Sequence, residues 1–233
     1  MSTAPLQTTA GAEVRLAWLD PIGTDAYRES TLALLEPAVS PETQVEFASL
    51  PPDRPLDLED PAAEAAVHDD IVNWCRDNAA RLDGILIGCF FDTALEDARN
   101  AAGPSCIVSG PCEAAILLAR AAGVPYSVIV GRDTWTRRVA RRIDRYGGTE
   151  ELASIRVAGV GVAELGEPNA ATSAALLAAG RAAIDEDHAR LLILGCTADS
   201  VSGARMEQHL GVPVIEAIQR PFLELERRCG FSN

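Results

Sequence analysis

The chain has 233 residues, 48% hydrophobic and 23% charged, an ordinary globular make-up with room for one large domain or two small ones. Its formal net charge of −14 argues against nucleic acid, whose binding rests on basic patches, and no apolar run approaches the length of a membrane span. All twenty basic residues are arginine, which excludes pyridoxal phosphate held by the chain's own lysine and a Walker-type phosphate loop.

Residues 1–12 are polar and small, lack a charged-then-apolar signal pattern, and read as a disordered extension of a cytoplasmic protein. A strand is expected over Val14 to Leu19, then the turn Asp20-Pro21-Ile22-Gly23-Thr24, with Thr24 or Asp25 capping a helix toward Ala38. Gln44 to Leu50 alternates as a second strand, and Pro51 to Pro61 is a proline-rich acidic loop. Ala62 to Leu82 carries helical spacing throughout. Asp83 to Gly88 is a third strand, followed by a helix from Thr93 to Ala102. Ser105 to Ser109 is a strand with Cys106 inside it, and Gly110-Pro111-Cys112-Glu113 opens a helix to Ala122.

The second half repeats the alternation. Strands are expected at Val124 to Val130, Ser154 to Ala158, Ala189 to Gly195 and Val212 to Ile215. Helices are expected from Thr134 to Tyr146, from Asn169 to Asp187, from Asp199 or Ser200 to Leu210, and from Glu216 to Cys229. Gly159-Val160-Gly161 invites a dinucleotide reading, but Glu164 stands where the third glycine belongs, and the reading is rejected. Eight or so strand–helix alternations mean a parallel α/β architecture, with ligands beyond the C-terminal strand ends. The arginines between Arg132 and Arg145 read as a solvated helix face or a contact with an acidic neighbouring subunit, in preference to a phosphate or carboxylate site.

Two cysteines fall at such strand ends. Gly88-Cys89-Phe90-Phe91-Asp92-Thr93 follows Ile85-Leu86-Ile87, and Gly195-Cys196-Thr197-Ala198-Asp199 follows Leu191-Leu192-Ile193-Leu194. A helix beginning beside each thiol would favour its thiolate through backbone N–H groups and the helix dipole. The turn after the first strand has a rough counterpart at Gly131 to Thr134, so the chain looks doubled. Two similar lobes would bring the thiols to opposite walls of one cleft. A racemase needs that arrangement, because a proton leaves one face of a carbon and returns to the other. A thiol with a pKa of about 8.5, tunable both ways, suits the role. Thr93 and Thr197 would add donors, and backbone N–H groups would stabilise the carbanion's oxygen. The remaining cysteines, Cys75, Cys106, Cys112 and Cys229, form no Cys-x-x-Cys pair, so no metal site is expected; His68, His188 and His209 read as surface residues.

Gly88-Cys89-Phe90-Phe91-Asp92-Thr93-Ala94-Leu95 resembles the first cysteine motif of hydantoin and allantoin racemases, and Leu194-Gly195-Cys196-Thr197 the second, shared across the aspartate/glutamate racemase superfamily. Gly110-Pro111-Cys112-Glu113-Ala114-Ala115 resembles the segment that opens the second lobe in that family. The resemblance implies two pseudo-symmetric parallel-sheet α/β lobes, one of residues 13–109 plus 215–233 and the other 110–214, with the last strand and helix returning to the first. It implies a cofactor-independent racemase or epimerase acting on a small amino-acid derivative such as a 5-substituted hydantoin, in a homo-oligomer. Cys89 and Cys196 match the catalytic pair. Pro21, Gly23, Thr24, Phe90, Asp92, Thr93, Gly110, Pro111, Thr134 and Thr197 are the expected substrate-binding residues. Asp20-Pro21-Ile22 stands where the family has Asn-Pro-Asn, and Phe91 where it has glycine. A maleate isomerase-like or arylmalonate decarboxylase-like reaction, or a small-molecule binder on this scaffold, remains as an alternative.

Overall fold

The computed structural model describes residues 13–230, so the expected N-terminal extension lies outside the described residues. Eight strands form two wholly parallel four-stranded sheets. The first contains β1 (Val14–Asp20), β2 (Thr43–Ser49), β3 (Gly84–Ile87) and β4 (Ile107–Ser109) in the order β2-β1-β3-β4. The second contains β5 (Tyr126–Val130), β6 (Leu152–Val157), β7 (Leu191–Leu194) and β8 (Val214–Ile215) in the order β6-β5-β7-β8. The two orders are the same, which makes the doubling architectural. Inner strands β3, β5 and β7 are buried at every residue, as strands covered on both faces must be.

The helices are α1 (Arg28–Leu35), α2 (Pro61–Ala66), α3 (His68–Asn78), α4 (Leu95–Ala102), α5 (Pro111–Ala122), α6 (Asp133–Arg145), α7 (Val162–Gly166), α8 (Ala170–Asp185), α9 (Ser202–Leu210) and α10 (Gln219–Gly230). Alternation along β1 sends Leu16 and Trp18 to one side and Ala17 and Leu19 to the other. The first pair packs with Phe47, Leu86, Phe222 and Leu225, so α10 closes one face of the first sheet. Glu216 starts that helix, its carboxylate accepting the N–H groups of Ile218, Gln219 and Arg220.

Several expectations change. The single helix over Ala62 to Leu82 is two, broken where buried Val67 leaves helical geometry at φ −101° and ψ −3°. Thr24 does not cap a helix; its hydroxyl accepts the N–H of Ala26 in a turn, and α1 starts at Arg28. Cys106 precedes its strand. The last strand pairs with β7 in the second sheet, so the last helix alone returns to the first. Helix α7 was not foreseen. It is started by Glu164, which accepts the N–H of Gly161 and thereby fills a structural role at the position where a dinucleotide loop needs glycine.

Asp92 joins the halves. Its buried carboxylate accepts the N–H groups of Cys112 (3.0 Å) and Glu113 (2.8 Å) at the start of α5, and the hydroxyl of Tyr146 (2.7 Å) just after α6. Its own N–H donates to the carbonyl of Cys89 (2.9 Å). Gly110 lies so close that a Cβ there would stand 2.3 Å from the carboxylate, which is why the chain needs glycine before Pro111. Burial pushes Asp92 up to about 7 against the pull of Tyr146, the two N–H groups and Arg142. Asp92 also sits at φ 49°, a conformation that asparagine tolerates as readily. Asp92→Asn therefore isolates the carboxylate: one amide oxygen cannot serve three donors, and the amide N–H₂ faces another donor. We expect a loss of about 2–3 kcal/mol in urea denaturation; a change below about 0.5 kcal/mol would refute the latch.

Candidate active site

Both cysteines stand where chain topology creates a crevice. In each sheet the first strand leads outward to its edge neighbour and the chain then crosses to the other side, so a switch point lies between β1 and β3 and between β5 and β7. Cys89 follows β3 and Cys196 follows β7. The preceding glycines make equivalent bonds: the Gly88 N–H donates to Leu19 O (2.7 Å), and the Gly195 N–H to Ile129 O (2.8 Å). The two loops also touch, since the Thr197 hydroxyl donates to the carbonyl of Gly88 at 2.9 Å. Gly88 itself lies against the Trp18 indole, where a Cβ would come within 2.5 Å of the ring.

The two thiols line one cavity of about 60 Å³, several times what one water needs. Pro21, Phe90 and Thr197 line it with them, together with Asp20 and Ile22 from the turn after β1. Phe91 forms part of the wall, its ring set edge-on to Trp135 with centroids 5.9 Å apart.

The helix dipole does not govern the thiols. Helix α4 begins at Leu95 and α9 at Ser202, each six residues past its cysteine. Burial dominates instead and pushes both thiols up to about 12. The N–H of Phe91 and the hydroxyl of Thr93 pull Cys89 back in part, as the N–H of Ala198 does for Cys196. Each sulfur is thus met by the N–H of the second residue after it, a further sign of the doubling. Cys196 keeps some solvent exposure while Cys89 is buried, yet the surrounding protein raises both alike.

The other expected residues lie outside the cavity. Thr93 carries one hydroxyl proton for two acceptors, the Glu64 carboxylate at 3.0 Å and the Cys89 sulfur at 3.6 Å. Asp92, Gly110 and Pro111 form the latch at the start of α5. Gly23 packs against the backbone of Pro51 and Arg54, and its N–H donates to Pro55 O (2.8 Å), which holds the proline-rich loop. Thr24 lies in its turn, and Thr134 opens onto a separate arginine-lined groove.

Sequence reasoning missed the roof. Leu56, Asp57, Leu58 and Glu59 of the proline-rich loop line the cavity, as do Tyr27, Trp135 and Val162. The loop is strapped to the second lobe: Arg132 Nε donates to Glu59 (3.0 Å), and Arg138 donates to the carbonyls of Leu58 and Glu59. Arg138 also pairs with Glu64 (3.1 Å) and lies 3.7 Å above the Phe91 ring. Contacts between residues 70 or more positions apart leave no local pattern, and the alternating acidic and apolar residues from Leu56 to Glu59 were the only available hint. Asp20 is buried against the cavity, and burial pushes it up to about 8, so it stands as a neutral carboxylic acid at pH 7. No helix among the described residues is long and apolar enough to cross a membrane, and no group of three or more histidine, cysteine, aspartate or glutamate side chains among them is arranged to hold a metal ion.

Known proteins resemble this chain in sequence and in fold. The hydantoin racemase of Rhizobium meliloti is 31% identical over 173 residues, covering 73% of this chain and 70% of that protein. The allantoin racemase of Pseudomonas fluorescens superposes with a TM-score of 0.83 at 22% identity over 92% of this chain and 90% of that one. The allantoin racemase of Klebsiella pneumoniae gives 0.82 at 23% identity over 92% and 86%. These relatives are isomerases. The family model for Asp/Glu/Hydantoin racemase matches residues 16–220, and this chain belongs to that family.

Proposed function

We propose that this chain is a cofactor-independent racemase or epimerase in which Cys89 and Cys196 are the two acid–base groups. The supporting observation is that two thiols, delivered by equivalent strands of equivalent sheets, line the same cavity. The substrate is a small amino-acid derivative with an acidic carbon next to a carbonyl, such as a 5-substituted hydantoin. One cysteine enters the reaction as thiolate and removes the proton from that carbon, leaving the electron pair shared with the carbonyl oxygen. The opposite cysteine, as thiol, delivers its proton to the other face. The thiols have then exchanged roles, and the reverse substrate hand uses them in the opposite sense.

Both thiols rest as acids. Glu64 competes with Cys89 for the Thr93 proton and its charge opposes a thiolate there, as Asp199 and Glu59 oppose one at Cys196. Neutral Asp20 supplies an O–H that can donate to the developing enolate oxygen, as a protonated carboxyl in an apolar site is able to do.

Three outcomes follow from this chemistry. Cys89→Ser and Cys196→Ser should each lower racemisation of a hydantoin at least about 100-fold in deuterium oxide, and normal racemisation by either variant would sink the two-base assignment. In the free protein, iodoacetamide should alkylate Cys89 and Cys196 roughly a thousandfold more slowly at pH 8 than an exposed thiol, accelerating toward pH 11; mass spectrometry showing fast labelling at pH 7 would contradict neutral resting thiols. Asp20 loses its proton as pH rises through about 8, so the rise of kcat/KM with pH that thiolate formation brings should level off above that point. Asp20→Asn keeps an N–H donor and should let the rise continue; an unchanged levelling in the variant would remove Asp20 from this role.

A further inference from the structure

The arginines of α6 do not form a flat solvated face. Arg137, Arg138, Arg141, Arg142 and Arg145 line one side of a groove whose other side is Pro61 and Glu64, with Phe91 at its floor. Glu64 pairs with Arg138, and Glu96 with Arg142 and Arg145, so five arginines face two carboxylates and a local charge of three remains uncompensated. Arg137 and Arg141 are exposed and have no carboxylate partner among the described residues. Asp133 and Asp144, on the same helix, do not line the groove. This concentration of positive charge sits on a protein of net charge −14. The five guanidinium groups repel one another at i,i+4 spacing, and a multivalent anion would relieve that repulsion.

We propose that this groove is a binding site for a small anion bearing two phosphate groups. Guanidinium forks match phosphate oxygens two at a time, and a diphosphate carries about the charge the groove leaves unmet. The concave shape, with side chains from α2 and α6 on facing walls, fits a small molecule better than a flat protein surface. The site is separate from the thiol cavity but shares a wall with it: Phe91 lines both, and Arg138 stacks on Phe91 while holding the cavity's roof. Bound anion would therefore stiffen the roof by fixing α6 against α2.

Calorimetric titration of the full chain with sodium pyrophosphate at constant ionic strength tests this directly and needs no knowledge of the substrate. One equivalent should bind, and Arg137→Ala/Arg141→Ala should weaken binding at least about tenfold. Those side chains are exposed, and circular dichroism of the double variant should match the parent. Citrate at the same charge should bind more weakly than pyrophosphate. Absence of heat, equal affinity in the double variant, or binding of citrate as tight as pyrophosphate would overturn the proposal. So would a change of particle mass on mutation in sedimentation, which would make the groove a subunit contact.

Discussion

The position of Cys89 depends on a single buried carboxylate. Asp92 accepts two N–H groups from the start of one helix and a hydroxyl from beyond another, while its own N–H closes the turn that presents the cysteine. Three donors at 2.7–3.0 Å offset part of the desolvation of that carboxylate, which burial still pushes up to about 7. The turn after β3, the entry to α5 and the exit of α6 are thereby fixed to one point. Asp199 has the equivalent place after Cys196 and does a more local job, accepting the N–H groups of Val201 and Ser202 at the start of α9. The two lobes share their plan, and only the first uses its aspartate to bind to the other.

Electrostatics at the thiols is a contest between an apolar enclosure and a few well-aimed dipoles. Enclosure wins in the free protein, because the nearest helix starts are a turn and a half too far along the chain to act. The same enclosure strengthens every later interaction with a substrate, since charges formed inside it are poorly screened. A neutral carboxyl at Asp20, the hydroxyl groups of Tyr27, Thr31 and Thr197, and the carboxyl groups of Asp57 and Glu59 are the polar equipment among the apolar residues that line the cleft.

Much of this was legible in the amino-acid order. Short apolar runs such as Leu191 to Leu194 are buried on both faces, and parallel inner strands require that composition. The two Gly-Cys motifs were visible because the strand end fixes where a thiol can reach solvent. Helix starts were less legible: Thr24, Thr93 and Ser200 are good caps in isolation, but Thr24 is used in a local turn and Thr93 in a tertiary bond to Glu64. Gly110 and Thr134 were grouped with the site through the family resemblance and the doubled plan of the chain, yet Thr134 opens on a different groove and Gly110 makes room for Asp92. The roof could not be read, because Arg132 and Arg138 meet Leu58 and Glu59 only when the second lobe is folded against the first.

That roof has a mechanical meaning. The loop leaves the first sheet and is pinned by Arg132, Arg138 and the N–H of Val162, all from the second. A cover fastened to the opposite wall is a strap across the mouth of the cleft: it ties the two lobes together over the thiols, and neither lobe holds it alone.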